Sequence, residues 1–309
     1  MADASNTLAY LLNWGSQDVD GIDISDLLQG APFLAQVFAK ESSHNQTHKY
    51  LKETVTAGSD FRDVNTGVTN SAGQSDLITI TLKFLDASFD RDVAIIEASG
   101  NPERYMTSET AKSLRAALSN AEKQFINGTG NDAGGWNGLA NALGTLGTYV
   151  LDGGDATAAS VTSVYAVRSD DAGVAAVVAN GGEITVSDPY QVRVQPDGAD
   201  ASYSAQRVDV HGWMGLQLGS VYDSARLANI GTGASNTLDD DGISDLLAVA
   251  KADMPFTHLV MNRTARKQLQ QSRTATNPTG APAPFPTEAF GVPIITTDSI
   301  VNTETVVTA

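Results

Sequence analysis

The sequence predicts an α+β protein in which one long helix is set against a strand-rich remainder. Three observations carry that expectation. Strands and helices do not alternate in the way βαβ units require. Ala111, Leu114, Leu118, Ala121 and Phe125 recur at steps of three and four, the period of an amphipathic helix. Most of the 28 glycines fall between runs of Val, Ile, Thr and Tyr, against only 10 prolines, which marks turns between strands.

The first 45 residues hold two short amphipathic pieces. Ser25-Asp26-Leu27-Leu28 has the form of a helix start, because Ser and Asp are able to satisfy the first free backbone N–H groups. The second piece is the apolar run PFLAQVFAK at 32–40. Residues 18–30 carry acids and few bases, so this arm is expected on a surface. From Lys49 to Val93 the pattern becomes extended. In 77–84, Ile78, Ile80, Leu82 and Phe84 alternate with Leu77, Thr79, Thr81 and Lys83, predicting a strand with one apolar face. Residues 56–76 form a polar loop with too few apolar side chains to pack on their own chain. Loops of that length in compact domains usually bind something.

The long helix opens at Asn101-Pro102-Glu103 or at Thr107, and runs about 20 residues to Ile126, ~30 Å at 1.5 Å per residue. Lys112, Arg115, Glu122 and Lys123 fall outside its apolar set. Asn127-Gly128 stops it, since both residues tolerate the left-handed conformation. Downstream, 163–168 and 191–195 read as strands, Pro196-Asp197-Gly198 as a turn, and 205–210 and 214–218 as return strands. Helices are expected at 241–252 and 262–272. NPTGAPAPFP (277–286) breaks regular structure before an extended tail from Gly291 to Ala309.

Motifs for chemistry are weak. The stretch QFINGTGNDAGGWNGLANAL (124–143) follows a helix and spaces its glycines as GxGxxxGG. It lacks the Lys and Ser/Thr of a P-loop and the strand-first GxGxxG of a dinucleotide site, and reads as a helix stop and tight bend. His44 and His48 stand four apart, as zinc ligands on a helix do, but no third ligand is near and a polar junction is the better reading. His258 precedes an apolar strand and reads as a packed residue. SQDVDGID (16–23) and TLDDDGIS (237–244) resemble calcium loops, yet a full loop needs Asp first and Glu twelfth; here those places hold Ser16 with Leu27, and Thr237 with Ala248. Each reads instead as a turn capping a helix. No GxSxG elbow occurs. No catalytic, cofactor-binding or metal-binding residues are assigned.

Composition narrows the classes further. With no cysteine, disulfides and thiolate metal sites are excluded. No apolar run reaches about 18 residues and the start lacks a basic leader, so a soluble intracellular product with no membrane span is expected. The net charge of −17 argues against a protein that grips nucleic acid.

Order and wording then point to a family. FLDASFDRDVAIIEA precedes the long helix, INGTG…GWNGL follows it, VMNRTARKQLQQSRT comes later, and FGVPIITTDSI…TE closes the chain. This succession resembles the major capsid proteins of tailed bacteriophages, which share the Hong Kong 97-type shell fold. The resemblance implies an N-terminal arm (1–45), an extended loop lying over a neighbouring subunit (46–92), a peripheral domain with the spine helix (93–135 and 266–309) and an axial domain (136–265). Within the extended loop, Lys52, Phe61, Arg62 and Asp63 are the expected inter-subunit contacts. Some relatives crosslink Lys to Asn, and Lys49 and Lys52 are the lysines near this loop. The implied function is self-assembly as pentamers and hexamers into a shell around double-stranded DNA, without sequence-specific binding. The implied partners are a separate scaffolding protein, a portal protein and decoration proteins. The implied location is the virion, after synthesis in the host cytoplasm. An encapsulin-like compartment is the alternative within the fold. A β-rich hydrolase or binding module is the alternative outside it, but sugar stacking needs aromatics, which make up only 6% and include Trp14, Trp136 and Trp213 in apolar contexts.

Overall fold

The computed structural model describes residues 28–69, 71–130, 135–179, 184–195, 201–233, 235–277 and 281–309. The helix start at Ser25-Asp26, the acid-rich turn 16–23, Trp14 and the turn 196–198 lie outside the described residues.

A 3-10 turn at Leu28–Gly30 leads into α1 (Pro32–Gln36), then β1 (Phe38–Glu41). The apolar run 32–40 is therefore split, because Val37 takes an extended backbone between the two. β2 (Thr47–Val55) and β3 (Gln74–Thr81) form an antiparallel hairpin, followed by β4 (Lys83–Asp86) and β5 (Phe89–Asp92). The single strand expected over 77–84 is two. Ile78, Ile80 and Leu82 share the inward side, but the chain passes at Leu82 from the hairpin into another sheet, and Phe84 turns outward. Asp92 caps the short α2 (Val93–Ala98) by accepting from the Ala94 N–H.

The spine helix, α3 (Pro102–Asn127), has 26 residues, or ~39 Å. It is longer than the minimal expectation because Asn101 is the cap, accepting from Arg104 N at 3.1 Å. Thr107, the other candidate cap, lies inside the helix and donates to Glu103 O. Its exit differs from expectation: Gly128 is at φ −56°, outside the left-handed region. The glycine is required for close approach instead. Gly138 N donates to Gly128 O at 2.8 Å, and Gln124 Nε2 donates to Trp136 O at 2.8 Å. A Cβ on Gly138 would stand 2.7 to 2.8 Å from Gln124 O, Gly128 N and Phe125 O. Trp136 then packs edge-on against Phe125, 5.2 Å between centroids.

Next come α4 (Leu139–Ala142), β6 (Val150–Asp152), β7 (Val161–Val167), β8 (Val174–Val178), β9 (Thr185–Val186), β10 (Tyr190–Val194), β11 (Tyr203–Val208), β12 (Val210–Leu218) and β13 (Ser224–Gly231). After them come α5 (Asp240–Ala248), β14 (His258–Met261), α6 (Arg263–Thr276), β15 (Glu288–Ala289) and β16 (Val292–Thr296). Asp239 caps α5 through Gly242 N, as read from TLDDDGIS, and Asn262 caps α6 through Ala265 N. Among the described residues, no helix is long and apolar enough to cross a membrane.

The strands make four sheets: β1-β8-β12-β4 with β9 beside β12; β10-β11-β5; β15-β16-β14-β7-β13-β6; and the β2–β3 hairpin. Two cores result. In the first, Phe33, Leu34, Leu114, Leu118 and Phe125 meet Met214 and Leu216 of the five-stranded sheet. In the second, Ile243, Leu246 and Leu269 of α5 and α6 meet Val164, Leu227 and Leu259 of the six-stranded sheet. β7 serves both, sending Tyr165 and Val167 to the first core, Val164 and Ala166 to the second. It is buried on both faces, which is why VTSVYAV shows no alternation of apolar and polar residues. Chain order does not decide membership. β15 and β16 join a sheet whose other strands lie at 150–261, while β8 and β12 join the sheet over α3.

Candidate assembly interface

The hairpin has two different faces. His48 and Tyr50 pair across the strands with Ile80 and Ile78 on the inner one. Gly215 of β12 lacks a side chain there, and the Leu82 and Ile80 methyls fill the space. His48 is locked: Ser43 N donates to its Nδ1 at 3.2 Å, and its Nε2 meets Gln217 Oε1 at 2.8 Å. Gln217 Nε2 donates to Asp171 O and Gly173 O, so Oε1 accepts and the imidazole is neutral with its proton on Nε2. Burial pushes the His48 pKa down, which agrees. His44 sits on a turn with its Nδ1 beside Ser43 Oγ, so the two histidines share no helix face. Among the described residues no group of three metal-ligating side chains occurs. His258 is half-buried with Nδ1 2.9 Å from Thr257 Oγ1, a packed residue as expected, and burial lowers its pKa.

The outer face is unusual. Leu51 and Leu77 stand directly opposite each other, 69% and 64% exposed. Beyond them the tip presents Phe61, fully exposed, with Val64 almost so. Of the expected contact residues, Phe61, Arg62 and Asp63 come together at this tip. Arg62 Nη1 donates to Thr66 O, and the Thr66 hydroxyl donates to Asp63 O. Lys52 is apart from them, half-buried on β2 opposite Asp76 and on the same side as Tyr50. The far end of the hairpin is held to its own subunit. Lys251 Nζ lies 3.3 Å over the Tyr222 ring and donates to Thr56 Oγ1 at 2.6 Å.

Behind this surface, buried polar groups tie remote segments together. Glu122, expected off the apolar face of the spine helix, is completely buried. Its Oε2 accepts from Phe33 N (2.8 Å) and Leu34 N (3.3 Å), and its Oε1 accepts from the hydroxyls of Ser299 (3.0 Å) and Thr297. Ala31 offers α1 no side-chain cap, so Glu122 caps that helix from 89 residues away. The signal was present in phase: position 122 is four after Leu118 and three before Phe125. Arg226 donates to Glu304 Oε2 at 3.0 Å, Ser163 Oγ at 2.9 Å and Leu143 O at 2.9 Å. Asn229 clasps Val307 through both its N–H and its C=O. The C-terminal wording that looked like a family marker, TTDSI…TE, is thus the set of partners for Glu122 and Arg226.

A groove of about 640 Å³ runs between β6 and α5, with Leu151, Leu227 and Leu238 beneath and Asp152, Asp239 and Asp245 at its rim. Trp213 packs on Phe84, and the Phe84 ring also stacks on His211.

A family model described as major capsid protein GP7 matches residues 16–308. Among solved structures, the chain is similar to that of bacteriophage Epsilon15, with 17% identity and a TM-score of 0.65 over 89% of this chain and 88% of that one. It is also similar to the bacteriophage JBD30 capsid, with 11% identity and a TM-score of 0.50 over 85% of this chain and 89% of that one. At such identities the likeness is one of fold. No curated protein matches the chain in sequence.

Proposed function

The chain belongs to the major capsid protein GP7 family, and from that membership we propose that it self-assembles as pentamers and hexamers into an icosahedral shell around the double-stranded DNA of a tailed phage. The match over nearly the whole chain carries the reading, and the fold is the Hong Kong 97-type expected from the sequence. Its place is the virion.

The physical features agree with association as the function. A leucine pair held in water on a two-stranded ribbon is a cost that burial against another copy offsets, at roughly 25 cal/mol per Å² of apolar surface. In this reading Phe61, Arg62 and Asp63 touch the neighbour, while Lys52 supports the ribbon from its inner side. A chain of net charge −17 encloses DNA without adhering to it. We assign residues 1–45 to the arm and 46–92 to the extended loop. The peripheral domain is 93–135 with 266–309 and the axial domain 136–265, with the β15–β16 hairpin extending the six-stranded sheet through β14. A separate scaffolding protein, a portal and decoration proteins are the partners, synthesis is in the host cytoplasm, and the role is structural with no catalysis.

Electron microscopy of the protein co-expressed with its scaffold tests this. Closed shells are expected; only monomers and dimers at high concentration sink the reading.

A further inference from the structure

The β15–β16 hairpin carries two costs at its turn. Phe290 and Gly291 are both at positive φ, +50° and +79°. That pair of conformations is what a type I′ turn demands, and Asn-Gly meets it most easily. A bulky side chain in the left-handed region brings its Cβ against the following carbonyl. The Phe290 ring is also 62% exposed. Five residues back along the same edge, Phe285 is half exposed under the Arg266 guanidinium, 4.3 Å from the ring centre. Arg266 donates to Pro286 O and Thr296 Oγ1, and forms no ion pair among the described residues.

The opposite edge of the same sheet is a complement. β6 ends the strand order that β15 begins, while Arg273 holds the start of α5 close to β15 by donating to Asp240 and to Glu288 O. The groove beside it has an apolar floor at Leu151, Leu227 and Leu238. Asp152, Asp239 and Asp245 on its rim also form no ion pair among the described residues. It follows α5, nine residues and ~13 Å long. In the stretch from Phe285 to Phe290, Pro286 and Ala289 are buried, while Phe285, Thr287, Glu288 and Phe290 are exposed.

We infer that the 285–290 edge of one copy seats in the acid-rimmed groove of the next copy around a capsomer ring, with Arg266 meeting the rim carboxylates. Knob and groove lie on different edges of one sheet, so the contact is head-to-tail and not self-complementary. Repeated with rotation, such a contact closes into a ring. Copies of charge −17 repel one another, and a guanidinium set among carboxylates offsets this locally, less so as salt rises. The strained turn is then stability given up for a contact. The inference rests on the shell reading above and names one contact within it.

Phe290→Asn supplies the residue the turn prefers. It is expected to raise the melting temperature of the unassembled subunit and to cut capsomer yield, read by sedimentation, about tenfold or more. Arg266→Glu is expected to weaken ring formation, and Arg266→Glu with Asp245→Arg to restore it, with melting curves showing that each variant folds. Phe290→Asn subunits forming rings and shells at wild-type yield overturn the knob. A charge reversal that folds but recovers nothing overturns the groove as its seat and leaves another occupant there. Wild-type protein that forms no rings even with scaffold overturns the shell reading itself, a different outcome from either.

Discussion

Replacing Glu122 separates a structural carboxylate from an incidental one. In Glu122→Ala the Phe33 and Leu34 N–H groups, at the start of α1, lose their acceptor inside the core. A buried donor left unsatisfied costs about 1–3 kcal/mol. Two such donors total ~2–6 kcal/mol and the vacated side-chain volume adds to that, while relief from burying a charge returns part. The expected loss is therefore ~3 kcal/mol. Glu122→Gln is different. Its carbonyl oxygen still faces the two N–H groups, and its amide donates to the Thr297 and Ser299 hydroxyls, which rotate to accept. That variant should stay within ~1 kcal/mol of wild type, because it keeps an acceptor for both N–H groups and removes the charge that burial penalises. Burial raises the Glu122 pKa above its ordinary value of 4.5, against the pull of hydrogen bonds from Thr297, Ser299, Phe33 and Leu34. A value raised in the folded state adds stability fully present below 4.5 and lost as pH rises through the folded value. Wild type should thus gain on Glu122→Gln as pH falls from 7 to about 4. The assay is urea unfolding of the unassembled subunit with an unchanged m-value. A Glu122→Ala subunit within ~0.5 kcal/mol of wild type refutes the clasp. So does a Gln variant as damaged as the Ala one, whereas a pH-independent difference between wild type and Gln refutes the raised Glu122 pKa alone.

Leu118→Asp puts a carboxylate where no solvent reaches, and should cost about 5 kcal/mol in unfolding experiments or abolish soluble expression. Gly138→Ala drives a methyl against three backbone atoms and should lower subunit stability by about 1–3 kcal/mol; a neutral result would show that the bend after the spine helix has room to open. Replacing the tip, residues 57–72, with a short Gly-Ser turn should leave the melting temperature near wild type, because the tip is exposed. The same variant should fail to close shells by electron microscopy. Unfolding of that variant would make the tip part of the core.

Much of the fold was legible locally. Asn101-Pro102 opens the spine helix, Asp239 caps α5, Asn262 caps α6, and the polar loop lacks a core of its own. These features work through neighbours within four residues, or through one wet and one dry face, so their signals lie in adjacent letters. β8 and β13 gave no such signal. They are buried throughout, and VAAVV and SARLANIG carry no alternation because neither face meets water.

The division follows from what each force can see. By itself the sequence determined the α+β class, the spine helix with its start and stop, and a family wording that spans the chain. Tertiary structure alone decided that Phe84 leaves the hairpin's apolar face and that Gly128 and Gly138 are needed for contact, not handedness. It also decided that Glu122 is a buried clasp and that Phe290 pays strain at an exposed edge. Each of those depends on partners brought close only by folding, and periodicity records solvent, not partners.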